Sequence, residues 1–198
     1  MFDILGRTSL FRITLLDMKS AHWSVKIAEK DIPKTAFVVE NFGTYKSLRM
    51  PFGLTNAPST FQSLVEKLLP VARGGEIGEM NFCLAFLDYL LIPADSDEQA
   101  LDRPQKLLQA IVQNGLKLNA KKCQILQTEV TYLGHTLNKE GISCLHSRIC
   151  KMQNWPTPRS KRDVRALCGI FNYYSQFVNR YAEIAAPFFR ADRRKETV

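Results

Sequence analysis

No two cysteines in this sequence stand in a C-x-x-C spacing, and their number, five, is odd. Cys83, Cys123, Cys144, Cys150 and Cys168 therefore supply neither a disulfide framework nor a zinc site, and reduced intracellular thiols are the expectation. The three histidines, His22, His135 and His146, do not complete a metal-ligand pattern. Long apolar runs are lacking too. The most apolar stretch, residues 82–92, is too short to span a bilayer and contains Asp88, so no membrane partner is expected. The opening MFDILGRTSLFRIT has no apolar core behind a basic start, so no secretory signal is expected there and the chain reads as soluble. Repeats and low-complexity tracts are absent. What is present is ordinary for a folded protein: 198 residues, 45% hydrophobic and 23% charged, enough for one large domain or two small ones.

Acidic residues are scarce in one half only. Residues 99–198 carry 17 basic and 7 acidic side chains, whereas residues 1–98 carry 10 and 12. The overall formal charge is +8. A basic half joined to a slightly acidic one suits a protein that holds a polyanion at one end and a divalent metal at the other. A lysine-rich solvated face explains the charge equally well.

Periodicity gives a first outline. Trp23, Val25 and Ile27 alternate with polar residues, which predicts a strand within residues 15–27. Strands over 35–40 and 44–50 flank Asn41-Phe42-Gly43, a hairpin spacer. Pro58 opens a helix whose Phe61, Leu64, Val65, Leu68 and Leu69 share one face, with Asn56 or Thr55 as cap. Residues 70–80, with three glycines, predict a loop, and residues 83–92 a hairpin around Asp88 ended by Pro93. Ser96 with Gln99 and Gly115 bracket a helix over 97–114, which Pro104 should kink or split at a cost of about 3 kcal/mol. A strand over 130–137, a turn at Lys139-Glu140-Gly141 and a helix over 160–178, capped by Ser160 and Asp163, complete the list. The order predicts an α+β fold with an antiparallel sheet and a helical C-terminal part.

Two acidic residues are isolated in apolar sequence. Asp17 ends Ile13-Thr14-Leu15-Leu16, and Asp88 lies between Phe86-Leu87 and Tyr89-Leu90. A carboxylate at the end of a buried strand is costly unless something positive meets it. Two aspartates on adjacent strands are the minimal clamp for two metal ions in nucleotidyl transfer. The plainer alternative makes Asp17 a strand-end hydrogen-bonding residue and Asp88 a turn residue.

An ordered series of motifs goes further. Leu15-Leu16-Asp17-Met18-Lys19-Ser20-Ala21-His22-Trp23 is followed by Lys34-Thr35-Ala36-Phe37 and by Leu48-Arg49-Met50-Pro51-Phe52-Gly53-Leu54-Thr55-Asn56-Ala57-Pro58-Ser59-Thr60-Phe61-Gln62. Phe86-Leu87-Asp88-Tyr89 stands 71 residues after Asp17. Gly115-Leu116-Lys117-Leu118-Asn119, Lys121-Lys122-Cys123, Tyr132-Leu133-Gly134-His135 and Asn154-Trp155-Pro156-Thr157-Pro158 come next, then Phe171-Asn172-Tyr173-Tyr174 and Ala182-Glu183-Ile184-Ala185-Ala186-Pro187. Over nearly its whole length the chain resembles the reverse transcriptases of gypsy-like long-terminal-repeat retrotransposons.

The resemblance implies a polymerase palm with partial fingers (about residues 28–54) over residues 1–147, and a helical thumb with the start of a connection over 148–198. It implies an RNA-directed DNA polymerase, a nucleotidyltransferase. Asp17 and Asp88 would be its catalytic and metal-binding residues, holding two Mg²⁺ or Mn²⁺ ions. It puts His22 beside the sugar 2′ position, where the family usually has Tyr or Phe, and Phe52 and Gly53 under the incoming deoxynucleoside triphosphate. Leu133, Gly134 and His135 would grip the primer end from a strand. Arg159, Lys161, Arg162 and Arg165 would contact the phosphates of an RNA or DNA template–primer duplex.

Three departures from the family pattern qualify this. Tyr89 stands where the catalytic turn has its second aspartate, Pro104 interrupts a palm helix, and only 16 residues precede Asp17. Upstream fingers, ribonuclease H and integrase parts are then expected to be missing. The expectation is a truncated retroelement product with weakened metal binding and a reduced rate. A non-catalytic nucleic-acid-binding remnant is the alternative.

Overall fold

The protein is represented by a computed structural model that describes Leu5, residues 10–72 and residues 77–193. Its strands are β1 (Arg12–Asp17), β2 (Phe37–Val39), β3 (Gly43–Tyr45), β4 (Leu84–Phe86), β5 (Tyr89–Ala94), β6 (Gln124–Gln127), β7 (Glu129–Tyr132), β8 (His135–Asn138) and β9 (Gly141–Cys144). Its helices are α1 (Ala57–Leu68), between β3 and β4, and α2 (Asp97–Gln113), between β5 and β6, followed after β9 by α3 (His146–Gln153), α4 (Lys161–Tyr173) and α5 (Tyr181–Arg193). The architecture is the α+β arrangement that the sequence predicts.

The central sheet runs β4-β5-β1-β6 and its pairs are antiparallel. The β1–β5 ladder is six unbroken pairs, from Arg12 opposite Ala94 to Asp17 opposite Tyr89. Residues on both faces of these strands are buried, which is why they read as continuous apolar runs rather than alternations. Leu16, Leu90 and Ile92 join Phe61 and Val65 of α1 and Leu107 and Ile111 of α2 in the core. Burying each such side chain is worth about 1.5–3 kcal/mol. Between β1 and β6 the register shifts, and the buried Thr14 hydroxyl accepts the Leu126 N–H at 3.1 Å, so the irregularity leaves that donor satisfied.

Several local expectations need correction. Residues 22–27 are not a strand: Ser20 takes φ +53° and His22–Ser24 closes a 3₁₀ turn, leaving one bridge between Lys26 and Arg49. Asn56 sits at the α1 N-cap without a side-chain capping bond. Pro93 lies inside β5, not beyond it. Because β4 stops opposite Leu91, the missing N–H of Pro93 takes nothing from that ladder, and its carbonyl accepts from the buried Arg103 at 2.7 Å. Pro104 does not split α2. The helix runs from Asp97 to Gln113, and its buried Ala100, Pro104, Leu107 and Ile111 hold it against the sheet, where tertiary packing outweighs the lost bond. The strand over 130–137 is a hairpin, β7 and β8, turned at Leu133 (φ +50°) and Gly134 (φ +81°). The positive angles at both central positions make this a tight reversal of the kind that hairpins favour.

Other signals hold in part or whole. The β2–β3 hairpin pairs Phe37 with Tyr45 around Asn41 (φ +65°), but its second strand ends at Tyr45 rather than at residue 50. Ser160 and Asp163 form a full capping box at α4. Gly115, at φ +66°, ends α2: its N–H reaches Val112 O, and the Leu116 N–H reaches Ile111 O, both at 3.0 Å. That double bond pattern satisfies two carbonyls of the last turn and sends the chain back toward β1.

By compactness the chain divides into two units, Met1–Val130 with Leu137–Ile142, and Thr131–Thr136 with Ser143–Val198. Among the described residues no helix is long and apolar enough to cross a membrane.

Candidate active site

Asp17 is the last residue of β1, with only 3% of its surface exposed. Asp88 lies in the turn between β4 and β5, and its carbonyl accepts the Met18 N–H at 2.7 Å. Because Asp17 pairs in register with Tyr89, the two aspartates stand at the same end of neighbouring strands. The segment after α2 closes the other side: Met18 bridges to Leu118, Lys19 N–H donates to Lys117 O at 2.8 Å, and Asn119 N–H donates to Asp17 O at 2.8 Å. These bonds deliver Lys122, whose ammonium lies 3.4 Å from Asp17 Oδ2. The nearly buried carboxylate is thus met by a cation from 105 residues along the chain, a contact that no local signal in the sequence reveals.

The turn that carries Asp88 is held from α1. The Gln62 side chain donates to Ala85 O and accepts from the Leu87 N–H, each at 3.0 Å, and also donates to Glu66 at 2.8 Å. Leu87 itself sits at φ +54°. A single amide therefore reads donor and acceptor on the hairpin backbone and fixes a conformation that a leucine seldom adopts.

Phe61, the neighbour of Gln62, faces a second cluster. Its ring centroid lies 5.8 Å from that of His22, and Phe52 lies 5.1 Å from His22 on another side. Trp23 meets Phe52 edge-on at 6.5 Å. His22 and Phe52 are therefore brought together, with Phe52 exposed and Gly53 next to it at φ +92°. No atom lies within 4 Å of where a Gly53 side chain would begin, so the dihedral angle, not crowding, is what demands glycine here. His22 Nδ1 is buried without a hydrogen-bond partner among the described residues.

The remaining predicted residues belong to the second unit. Leu133 and Gly134 form the β7–β8 turn, and the Tyr173 hydroxyl donates to Leu133 O at 2.8 Å. His135 is fully buried between the rings of Tyr173, Tyr174 and Phe177, with centroids 5.3–5.5 Å away. Its ring thus packs the hairpin against α4 and offers no surface to a ligand; burial pushes its pKa below the usual imidazole value. Arg159, Lys161, Arg162 and Arg165 gather at the N-terminal end of α4, where Asp163 is held as a carboxylate by the Arg159 N–H and the Ser160 cap, keeping its pKa low.

Oxygen donors suit a hard divalent cation, and Asp17 and Asp88 stand at the same end of neighbouring strands. Among the described residues no group of three Asp, Glu, His or Cys side chains could hold a metal. Tyr89 occupies the position across from Asp17.

Residues 8–137 match the family of reverse transcriptases (RNA-dependent DNA polymerases). The chain is 33% identical over 94% of its length to the retrovirus-related Pol polyprotein from transposon 297 of Drosophila melanogaster, covering 17% of that polyprotein. It is 30% identical over 92% of its length to the corresponding polyprotein from transposon gypsy of the same organism, again covering 17%. Among solved structures, foamy viral protease-reverse transcriptase bound to double-stranded DNA superposes with a TM-score of 0.82 at 24% identity, over 94% of this chain and 32% of that one. The same viral protein bound to an RNA/DNA hybrid gives 0.78 at 24% identity, over 96% of this chain and 25% of that one. The chain spans about a sixth of the curated polyproteins it matches.

Proposed function

Because the chain belongs to the reverse transcriptase family, we propose that it is the palm-bearing part of a retroelement RNA-directed DNA polymerase, adding deoxynucleotides to a primer 3′ end. The observation that carries this is the pairing of Asp17 with the Asp88 turn at one end of the β1–β5 ladder. Residues 1–147 then form the palm with partial fingers at about 28–54, and residues 148–198 the thumb.

Asp17 and Asp88 would hold Mg²⁺ or Mn²⁺. When bound there, such ions stabilise the attacking and leaving oxygens of an in-line displacement. The chain's own residues supply the rest. Gln62 fixes the turn that aims Asp88. Lys122 balances Asp17 and limits how much negative charge the site offers a cation. His22, backed by Phe61 and Phe52, would stand beside the sugar of the incoming nucleotide. Gly53 lets the backbone beside Phe52 turn under the base. The basic start of α4 would take the phosphates of an RNA or DNA template–primer duplex, as solved foamy viral relatives bind such duplexes. Tyrosine is neutral at pH 7, so Tyr89 leaves one fewer charge to offset two divalent ions. Weak metal binding and slow turnover follow.

Primer extension on poly(rA)–oligo(dT) tests the reading. Incorporation lost in Asp88→Asn and raised in Tyr89→Asp supports it. Duplex binding without extension, unrecovered in Tyr89→Asp, would instead identify a nucleic-acid-binding remnant.

A further inference from the structure

Far from the carboxylate pair in sequence, a thiol and an imidazole meet on one face of α3. Cys150 Sγ lies 3.5 Å from His146 Nε2, four residues earlier. Residues at i and i+4 share a helix face, so the helix itself sets this spacing, as it does where two histidines four apart hold zinc. Zinc binds sulfur at about 2.3 Å and nitrogen at about 2.0–2.1 Å; at a tetrahedral angle the two donors stand about 3.5–3.6 Å apart. The observed separation equals that bite. Neither residue belongs to a C-x-x-C or a His–His pattern, so only the helix reveals the pair. A thiol–imidazole hydrogen bond of similar length is the competing reading.

The other thiols are placed differently. Cys83 is fully buried, and burial pushes its pKa up. Cys123 Sγ is turned to Asn119 O at 3.3 Å, and Cys168 lines an apolar hollow with Phe171 and Phe188. Burial also raises the pKa of Cys144, against the pull of the Arg148 charge. Arg148 is two residues from each member of the pair and so lies roughly 200° round the helix from both. Its charge acts on Cys144 and Tyr174. His146 is exposed and Cys150 partly so, which leaves the donors open to an ion from solvent. α3 also has something to gain. It has 8 residues, and its N-cap Leu145 supplies no side-chain bond to the first turn. Helices this short are marginal on their own, and a chelate across one turn staples such a helix.

We infer that His146 and Cys150 chelate Zn²⁺ on α3, with water in the remaining positions. No third Asp, Glu, His or Cys of the described residues joins them. Cys150 gives its thiol proton to solvent as the Zn–S bond forms. Thiolate and imidazole favour Zn²⁺ over Mg²⁺, whereas carboxylate oxygens such as those of Asp17 and Asp88 suit the harder ion. The site uses neither aspartate, so it stands whether or not the chain polymerises.

Untagged, reduced and metal-free protein is titrated with Co²⁺, a spectroscopic stand-in for zinc. A saturable thiolate-to-cobalt charge-transfer band should appear, and Zn²⁺ should displace it. Cys150→Ser should abolish the band. His146→Asn should weaken Co²⁺ binding by about 100-fold, the upper end of what a metal ligand's own hydrogen-bond partner is worth. The band retained in Asp88→Asn separates this site from the carboxylate pair. In the unaltered chain Zn²⁺ should slow alkylation of Cys150 by iodoacetamide, read by peptide mass, a measurement that needs no variant to fold. One Cys150-dependent zinc per chain supports water as the completing ligand. Half a zinc per chain, with the mass doubled, would also support the chelate and give the other positions to a second copy's pair. A band unchanged in Cys150→Ser, or alkylation of Cys150 unmoved by Zn²⁺, would overturn the proposal and leave a hydrogen bond only.

Discussion

Gln62→Met removes three hydrogen bonds while nearly keeping the volume of the side chain. The two that matter are to the Asp88 hairpin, Nε2 to Ala85 O and Leu87 N to Oε1, both 3.0 Å long. Each is worth about 1 kcal/mol net, so the direct loss is about 2 kcal/mol. Leu87 is held at φ +54°, a conformation that costs about 1–2 kcal/mol for an L-residue and that the clamp helps to maintain. The turn should therefore open locally before the core does. Denaturant unfolding reads the global loss, and hydrogen exchange at the Leu87 amide reads the local one. Mn²⁺ affinity, followed by electron paramagnetic resonance, should fall with it, because Asp88 is the next residue. Stability within about 0.3 kcal/mol of the parent, together with unchanged exchange at Leu87, would refute the clamp.

Two further expectations rest on backbone angle and on burial. Gly115→Ala should lose about 1–2 kcal/mol, because φ is +66° and a methyl there meets nothing within 4 Å, whereas Gly169→Ala, inside α4 and equally uncrowded, should gain about 0.5–1 kcal/mol; opposite shifts of the unfolding midpoint check both. His135 is buried with its pKa below the ordinary 6.5, so the unfolded chain binds the extra proton first. The stability it contributes is complete above pH 6.5 and declines as pH falls through the folded value, and His135→Phe should flatten that part of a pH–stability profile.

Legibility in the sequence followed the range of the interaction. The α1 stripe, the Ser96 and Ser160 caps, Gly115 and the Asn41–Gly43 turn were readable because each is set by neighbours within a few residues. The alternation of Trp23, Val25 and Ile27 misled because Ser20 reverses the chain just before it. Residues 130–137 read as one strand because the turn at Leu133-Gly134 offers a leucine where a left-handed angle is needed. Pro104 failed as a breaker since its flanking side chains are buried against the sheet. At the site, the motif order singled out Asp17, Asp88, His22 and Phe52. Gln62 acting on Leu87 and Lys122 acting on Asp17 are products of tertiary placement, 25 and 105 residues apart, and nothing local announces them.

The pairing of Tyr89 with Asp17 has an evolutionary consequence. The ladder from Arg12–Ala94 to this last pair is built from main-chain bonds, so the identity of the final side chain alters charge without touching the register. Chemistry and architecture are therefore separable under mutation. Since a tyrosine codon is one base from an aspartate codon, a lineage carrying this chain could regain the turn's second acid in a single step, without crossing an unfolded ancestor.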